Sequence, residues 1–142
     1  MSLIDAWIAA GRPAPPVATH LGMRLLEVND GAAFFELEVD LEKHGNPMGT
    51  VQGGILVALA DAAMGIAYAS LLQQGESFTT LELKINYLKP VRSGTLRASG
   101  KVLKGGRTVG LTDCSITDEA GSLVAYATST CMTLRGESAE GR

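Results

Sequence analysis

Residues 44–67 read HGNPMGTVQGGILVALADAAMGIA: a short polar, glycine-rich loop that runs into an apolar stretch whose one carboxylate is Asp61. The apolar stretch continues to Leu72, so that the 18 residues from Ile55 to Leu72 carry no charge except Asp61. A carboxylate among Leu, Ala, Met and Ile costs free energy unless it is paired, hydrated or used. The run approaches the length of a membrane-spanning helix. It is rich in Ala and Gly, holds an acid near its middle, and sits in a chain whose other segments alternate as strands do, so a core helix wrapped by other elements fits better. The expected helix covers residues 54–74 and ends at Gly75.

The remainder of the 142-residue chain sets limits on what such a helix belongs to. With 46% hydrophobic residues there is enough apolar material for one domain and its core, and not for two. A net charge of -3 and a pI near 5.3 give no overall attraction to nucleic acid. Cys114 and Cys131 are isolated, and with only His20 and His44 beside them they form no zinc-binding pattern. No metal or other cofactor is expected. The N-terminus MSLIDAWIAAGRPAPP lacks a basic start followed by a long apolar run, so the expectation is a cytoplasmic protein with reduced thiols and no membrane association.

Around the helix the pattern is that of strands. A short helix is expected over residues 2–10, closed by Gly11 and the Pro-rich residues 13–16. Residues 23–28 and 32–39 flank Asn29-Asp30-Gly31, a strong hairpin signal. After the helix come three strand-like runs and then a last strand. In the first run Leu81, Leu83, Ile85 and Tyr87 alternate with period two. Residues 95–104 and 107–117 are joined at Gly105-Gly106, read as a two-residue hairpin loop. The last strand covers residues 122–134 after the turn at 118–121, and residues 136–142 read as a flexible tail. The organisation expected is a lead-in over residues 1–20, one domain over 21–135, and that tail. Strands joined by tight hairpins, with one apolar helix among them, imply an α+β fold in which an antiparallel sheet curls around a central helix.

The order of elements and the motif Asn46-Pro47-Met48-Gly49-Thr50-Val51-Gln52-Gly53-Gly54, followed by Leu59-Ala60-Asp61 and later by Asn86-Tyr87-Leu88-Lys89-Pro90, resemble the hotdog-fold acyl-CoA thioesterases of the phenylacetate-pathway (PaaI) type. The likeness covers residues 21–134. It departs at Gln52, where that family commonly has His before Gly-Gly. The resemblance implies hydrolysis of a small or medium acyl-CoA, with an aryl acyl group among the options, at sites built between protomers of a homodimer or a dimer of dimers. By alignment on Asn86-Tyr87, Thr80 stands where related enzymes carry an assisting hydroxyl, with Thr79 adjacent.

The chemistry of thioester cleavage asks for the same residue types. It needs a carboxylate that attacks the acyl carbon or activates water, and donors for the oxyanion that develops on the carbonyl. Asp61 is the candidate carboxylate. Gly53 and Gly54 open the helix, where free N–H groups and the helix dipole favour negative charge; the alternative is a simple tight turn. At 3.6 residues per turn Gly54, Ala58, Asp61, Gly65 and Tyr68 share a face. Asp61 lies eight residues beyond Gly53, or roughly 12 Å along the axis, too far for one helix to present both to one carbonyl. Two copies with antiparallel helices would bring Asp61 of one to the Gly53 end of the other. Asn46 is then placed to orient the acyl group or water, and Gln52 to hold the carbonyl or brace the loop. The competing structural reading of Asp61 is a buried acid satisfied by a backbone N–H or a hydroxyl.

Seven Lys and Arg occur from Lys84 to Arg107, with no Asp or Glu between Leu83 and Thr112. Lys104 and Arg107, flanking the Gly105-Gly106 hairpin, are the candidates for the phosphates of coenzyme A; a solvated strand face is the alternative. The tract is expected to lack exposed aromatics for stacking on bases. A dehydratase of this fold would need a His at the helix start, where neither His20 nor His44 stands. The rival from another functional class is a non-catalytic acyl-CoA-binding sensor, which the Gln52 departure keeps open.

Overall fold

The computed structural model describes Ile4 and residues 8–141. The helix expected over residues 2–10 therefore lies mainly outside the described residues. The described elements run α1 (Pro16–Leu21), β1 (Met23–Asn29), β2 (Ala32–Glu38), α2 (Leu41–His44), α3 (Gly53–Ala69), β3 (Ser77–Tyr87), β4 (Thr95–Gly105), β5 (Val109–Thr117) and β6 (Leu123–Leu134), with a 3-10 turn at Gly136–Ala139. All six strands pair antiparallel in one sheet of order β1-β2-β4-β5-β6-β3, which leaves β1 and β3 as its two edges. The sheet packs around α3, the architecture of the hotdog fold. Among the described residues no helix is long and apolar enough to cross a membrane.

Alternation builds the inner face of the sheet. On β2 Ala33, Phe35 and Leu37 are buried while their neighbours are not, and Leu96 and Ala98 of β4 and Cys114 and Ile116 of β5 continue the same face. Against it α3 turns Leu56, Leu59, Ala60, Ala63, Met64 and Ala67. The small residues set the distance: a Cβ on Gly100 of β4 would stand 2.5 Å from the carbonyl carbon and oxygen of Ala63, so this crossing admits only glycine. Burying a Leu or Met in such a contact contributes about 2 kcal/mol each, which is why a helix with little polar surface is stable here.

Several boundaries differ from those expected. The helix ends at Ala69 rather than at residue 74, because Ser70 ties its end to the β1–β2 hairpin. The Ser70 hydroxyl accepts from the Gly31 N–H at 2.8 Å and lies 2.7 Å from the Ala67 carbonyl and 3.0 Å from that of Asn29. The β1–β2 loop is Asp30-Gly31, with Gly31 at φ 80°, within the hairpin expected there. The β4–β5 loop is longer than two residues: Gly105 still pairs with Gly110, and residues 106–108 make the turn. Hydrogen bonds from Thr133 N–H to the Thr108 carbonyl and from Arg135 to the Arg107 carbonyl hold that longer loop against the end of β6. Helix α1, between Pro at its first turn and Gly22 at φ 82° past its end, follows the Pro-rich residues 13–16 at the end of the lead-in, where no separate element is expected.

The first strand after the helix breaks the expected alternation. In β3 a bulge between Thr80 and Glu82 leaves Leu81 without a partner on β6. Leu83 and Ile85 face the core as expected, but Leu81 and Tyr87 are each 54% exposed. Before the bulge the inward residues are instead Phe78 and Thr80. A bulge re-aims side chains in this way. Its effect here is to turn Thr80 toward α3.

Candidate active site

Asp61 stands on the side of α3 that the sheet leaves open, and it is exposed. The wrapped helix expected from the sequence is thus wrapped on all but one face, and the acid sits on that face, hydrated rather than buried. Its Oδ1 accepts a hydrogen bond from Thr80 Oγ1 at 2.9 Å. The two residues are brought together by the bulge in β3 and by the position of Asp61 two turns into the helix. Among the described residues no other side chain bonds to this carboxylate.

The pair lies in a wide cleft of about 1460 Å³ that runs between the two edge strands and over the open face of α3. Ala62, Gly65 and Ile66 continue its floor from Asp61, and Phe78 of β3 and Met23 of β1 stand on opposite sides. Gly65, one turn beyond Asp61, is close against Phe78, whose ring a Cβ would crowd at 3.1 Å. Farther along the same helical face Tyr68 is buried, its hydroxyl 2.6 Å from Thr133 Oγ1 and its ring tilted against Phe78. The face that the helical wheel groups together is therefore open from Gly54 to Asp61, narrows at Gly65 on the cleft floor and is closed at Tyr68. Met64 and Tyr68 belong to the core.

The other candidates occupy the start of the helix. Gln52 is exposed at the N-cap position, its side chain caps no backbone N–H, and its own N–H donates to the His44 carbonyl at 2.8 Å. Gly53 is close against Tyr87, whose ring and hydroxyl a Cβ would meet at 2.8 Å. Gly54 is different. A Cβ there would meet nothing within 4 Å, so nothing in this chain's own packing requires glycine at that position. Asn46 is engaged within its loop: Oδ1 accepts from the N–H groups of Met48 and Thr50 at 3.0 Å each, and Nδ2 donates to Thr50 Oγ1 at 2.8 Å. The geometry gives it the work of holding the loop that leads to Gln52.

His44 is 2% exposed and bonded through both nitrogens. Nδ1 accepts from the Asp40 N–H at 3.1 Å, which places the ring proton on Nε2, 2.8 Å from the Leu21 carbonyl. It ties α2 to α1 as a buried neutral imidazole. Lys104 and Arg107 are exposed and lie away from Asp61. Gly110, the partner of Gly105, packs on Tyr68 near the end of α3, so the hairpin that carries both cations projects beyond the end of the helix opposite to Gly53. They do not line the cleft; the cations at its rim are Arg12, Arg24 and Lys43. Among the described residues no group of His, Cys, Asp and Glu is arranged to hold a metal ion.

Comparison with known proteins supports the fold and gives the family. A family model described as the thioesterase superfamily matches residues 48–125, which include α3, the bulge in β3 and all of β4 and β5. The chain is 30% identical over 107 residues to a 1,4-dihydroxy-2-naphthoyl-CoA hydrolase of Listeria monocytogenes, covering 75% of this chain and 86% of that protein. It is 30% identical over 105 residues to the human acyl-coenzyme A thioesterase 13, covering 71% and 72%. The crystal structure of the Escherichia coli PaaI protein from the phenylacetic acid degradation operon superposes with a TM-score of 0.81 at 25% identity, over 94% of this chain and 93% of that one. The wrapped helix, the acid on its open face and these likenesses lead to one assignment: the chain belongs to the thioesterase superfamily, as a hotdog-fold thioester hydrolase of the PaaI-like type.

Proposed function

We propose that this protein hydrolyses acyl-CoA thioesters with small or medium acyl groups, aryl ones among them, to the free acid and CoA, with Asp61 as nucleophile or general base. The observation that carries the reading is the Asp61–Thr80 pair in the cleft. Thr80 holds one carboxylate oxygen and leaves Oδ2 for the reaction. That oxygen either attacks the acyl carbon, expelling the CoA thiolate and leaving a mixed anhydride that water then hydrolyses to the free acid and the carboxylate, or takes the proton of a water that attacks and expels the thiolate directly. The acyl group then rests on the apolar floor of Ala62, Gly65 and Ile66.

The oxyanion needs donors, and the N–H groups of Gly53 and Gly54 at the start of α3 suit it. In one chain they lie roughly 12 Å from Asp61 along the helix. The reading therefore includes a second copy of the chain, in a homodimer or a dimer of dimers, whose Gly53-Gly54 end meets this Asp61, with Gln52 beside the carbonyl and Asn46 holding the loop. Two features support it: Gly54 is a glycine that the chain's own packing does not explain, and β3 is an 11-residue strand with one edge unpaired, a surface that proteins cover. Lys104 and Arg107, which lie outside the cleft of their own chain, are assigned to the phosphates of a CoA that extends past the far end of α3. The names of the Listeria and human relatives, a naphthoyl-CoA hydrolase and an acyl-CoA thioesterase, favour CoA esters as substrates.

The test is a hydrolysis screen over aliphatic and aromatic CoA thioesters, read by free-thiol release, with Asp61→Asn alongside. Turnover that falls by a factor on the order of 100 or more in the folded variant is the expected result. Comparable turnover in wild type and Asp61→Asn rules the role out.

A further inference from the structure

The cleft over the open face of α3 has a far end that the hydrolysis itself does not explain. Asp61, Ala62, Gly65, Ile66 and Ala69 line it at intervals of one and three residues, which makes them a single stripe along the helix. Exposure falls along that stripe: Asp61 is exposed, Ala62 and Ile66 are half-buried, and Ala69 is 1% exposed. Strand β3 follows the same course, since Thr80 bonds to Asp61 at the open end and Phe78 and Ser77 line the cleft farther on. What closes the far end is Ile4. It lines the cleft, is 6% exposed, and belongs to the apolar cluster of Tyr68, Ala69, Leu72 and Cys131, against which Ile66 and Phe78 pack. Residues 8–17, by contrast, are all exposed. Among the described residues before Ala18, Ile4 alone is buried, and it is buried in the end of the channel.

The length of the channel follows from the helix. From Asp61 to Ala69 is eight residues, or roughly 12 Å along the axis. A hydrocarbon chain with ~1.5 Å bonds and tetrahedral angles advances ~1.25 Å per carbon, so about eight to ten carbons span that distance. We propose that Ile4 is a specificity-determining residue, the stop against which the end of the acyl group packs, and that the cleft between Asp61 and Ile4 is built for medium-chain acyl groups. A longer chain has to displace a side chain buried among Tyr68, Ala69 and Leu72. A shorter one leaves part of the apolar floor unfilled, and each CH2 that is missing there forfeits about fourfold in kcat/KM. The CoA moiety does not compete for this space. In the antiparallel pairing the other copy's α3 runs away from Ala69, so the two arms of the thioester leave Asp61 in opposite directions. The inference rests on the reading of Asp61 as the catalytic acid.

The experiment compares kcat/KM over the straight-chain series from butyryl- to palmitoyl-CoA in wild type, Ile4→Ala, Ile4→Val and Ile4→Trp, with Tm measured on each. Wild type peaks at octanoyl- or decanoyl-CoA. Ile4→Ala opens the end of the channel, so the ratio of kcat/KM for lauroyl-CoA to that for butyryl-CoA rises about tenfold. Ile4→Val, which removes one methyl group and keeps the anchor, raises the same ratio about threefold. Ile4→Trp closes the channel sooner and lowers the ratio of decanoyl-CoA to butyryl-CoA about tenfold. A ratio cancels any uniform loss, so a residue that only ties down the lead-in lowers Tm and moves neither ratio. That result overturns the proposal, as does a wild type that turns over palmitoyl-CoA as fast as decanoyl-CoA. Turnover lost in Asp61→Asn together with unmoved ratios removes the stop and leaves the role of Asp61 standing, whereas full turnover in Asp61→Asn removes both.

Discussion

Gly54→Ala separates the demands of folding from those of the site. In the second position of α3, glycine is the residue that costs most short of proline, and alanine stabilises a helix by up to about 1 kcal/mol relative to it. The new Cβ meets nothing within 4 Å, so no packing term opposes that gain. For a chain of 142 residues a change of this size raises Tm by roughly 3–5 °C. The same methyl group fills space that the site reading reserves for a thioester approaching the first N–H groups of the helix. The expected result is a variant that melts higher and whose kcat/KM falls by about tenfold or more, the loss of one oxyanion donor's geometry. Calorimetry and thiol release on the same preparation read both quantities. A higher Tm with unchanged kcat/KM refutes the argument that a ligand comes close to this end of the helix.

Other expectations follow from the same geometry. Burial pushes the Cys114 thiol from its ordinary 9.0 up to about 12, with Asp113 adding to the effect. A pKa raised by folding gives stability that is complete below the unfolded value and is lost as pH rises through the folded one, so this thiol's contribution to the unfolding free energy is complete up to about pH 8 and declines between about pH 9 and 12, at up to ~1.4 kcal/mol per pH unit. Chemical denaturation across that range checks it, and Cys114→Ala, which removes this thiol's share, makes the decline shallower. Lys104→Ala with Arg107→Ala raises KM for CoA esters by about tenfold and leaves KM for a short thioester without the nucleotide unchanged. Equal effects on both substrates identify the hairpin as a solvated turn.

The parts of the fold that local sequence determines were legible in it. Asn29-Asp30-Gly31 marked its hairpin, the uninterrupted apolar run marked α3, and the helical period placed Asp61 on one face with Gly54 and Gly65. What local sequence does not record was lost. A bulge adds one residue to a strand without requiring any particular residue type, so Leu81 read as inward and the aim of Thr80 at Asp61 could come only from the family alignment. The end of α3 is set by Ser70 bonding to Gly31, 39 residues away in the chain. His44 read as a loop residue because both partners of its ring are backbone groups, which carry no signature. Asn46 was read as facing substrate, since nothing in the sequence announces that Met48 and Thr50 occupy its amide.

The central claim is that Asp61 works with the helix start of another copy of the chain, and subunit mixing tests it most directly. Asp61→Asn and Gly54→Ala are each prepared alone, then unfolded together, refolded at equal ratio and checked for hybrid dimers by native mass spectrometry. If each site takes Asp61 from one protomer and Gly54 from the other, random pairing makes half the dimers hybrid, and each hybrid holds one intact site and one site with both lesions. Activity then rises to about a quarter of wild type, well above the mean of the two parents. Hybrids that form and turn over no faster than that mean contradict the account, because they place Asp61 and Gly54 in the service of the same chain or of no common site.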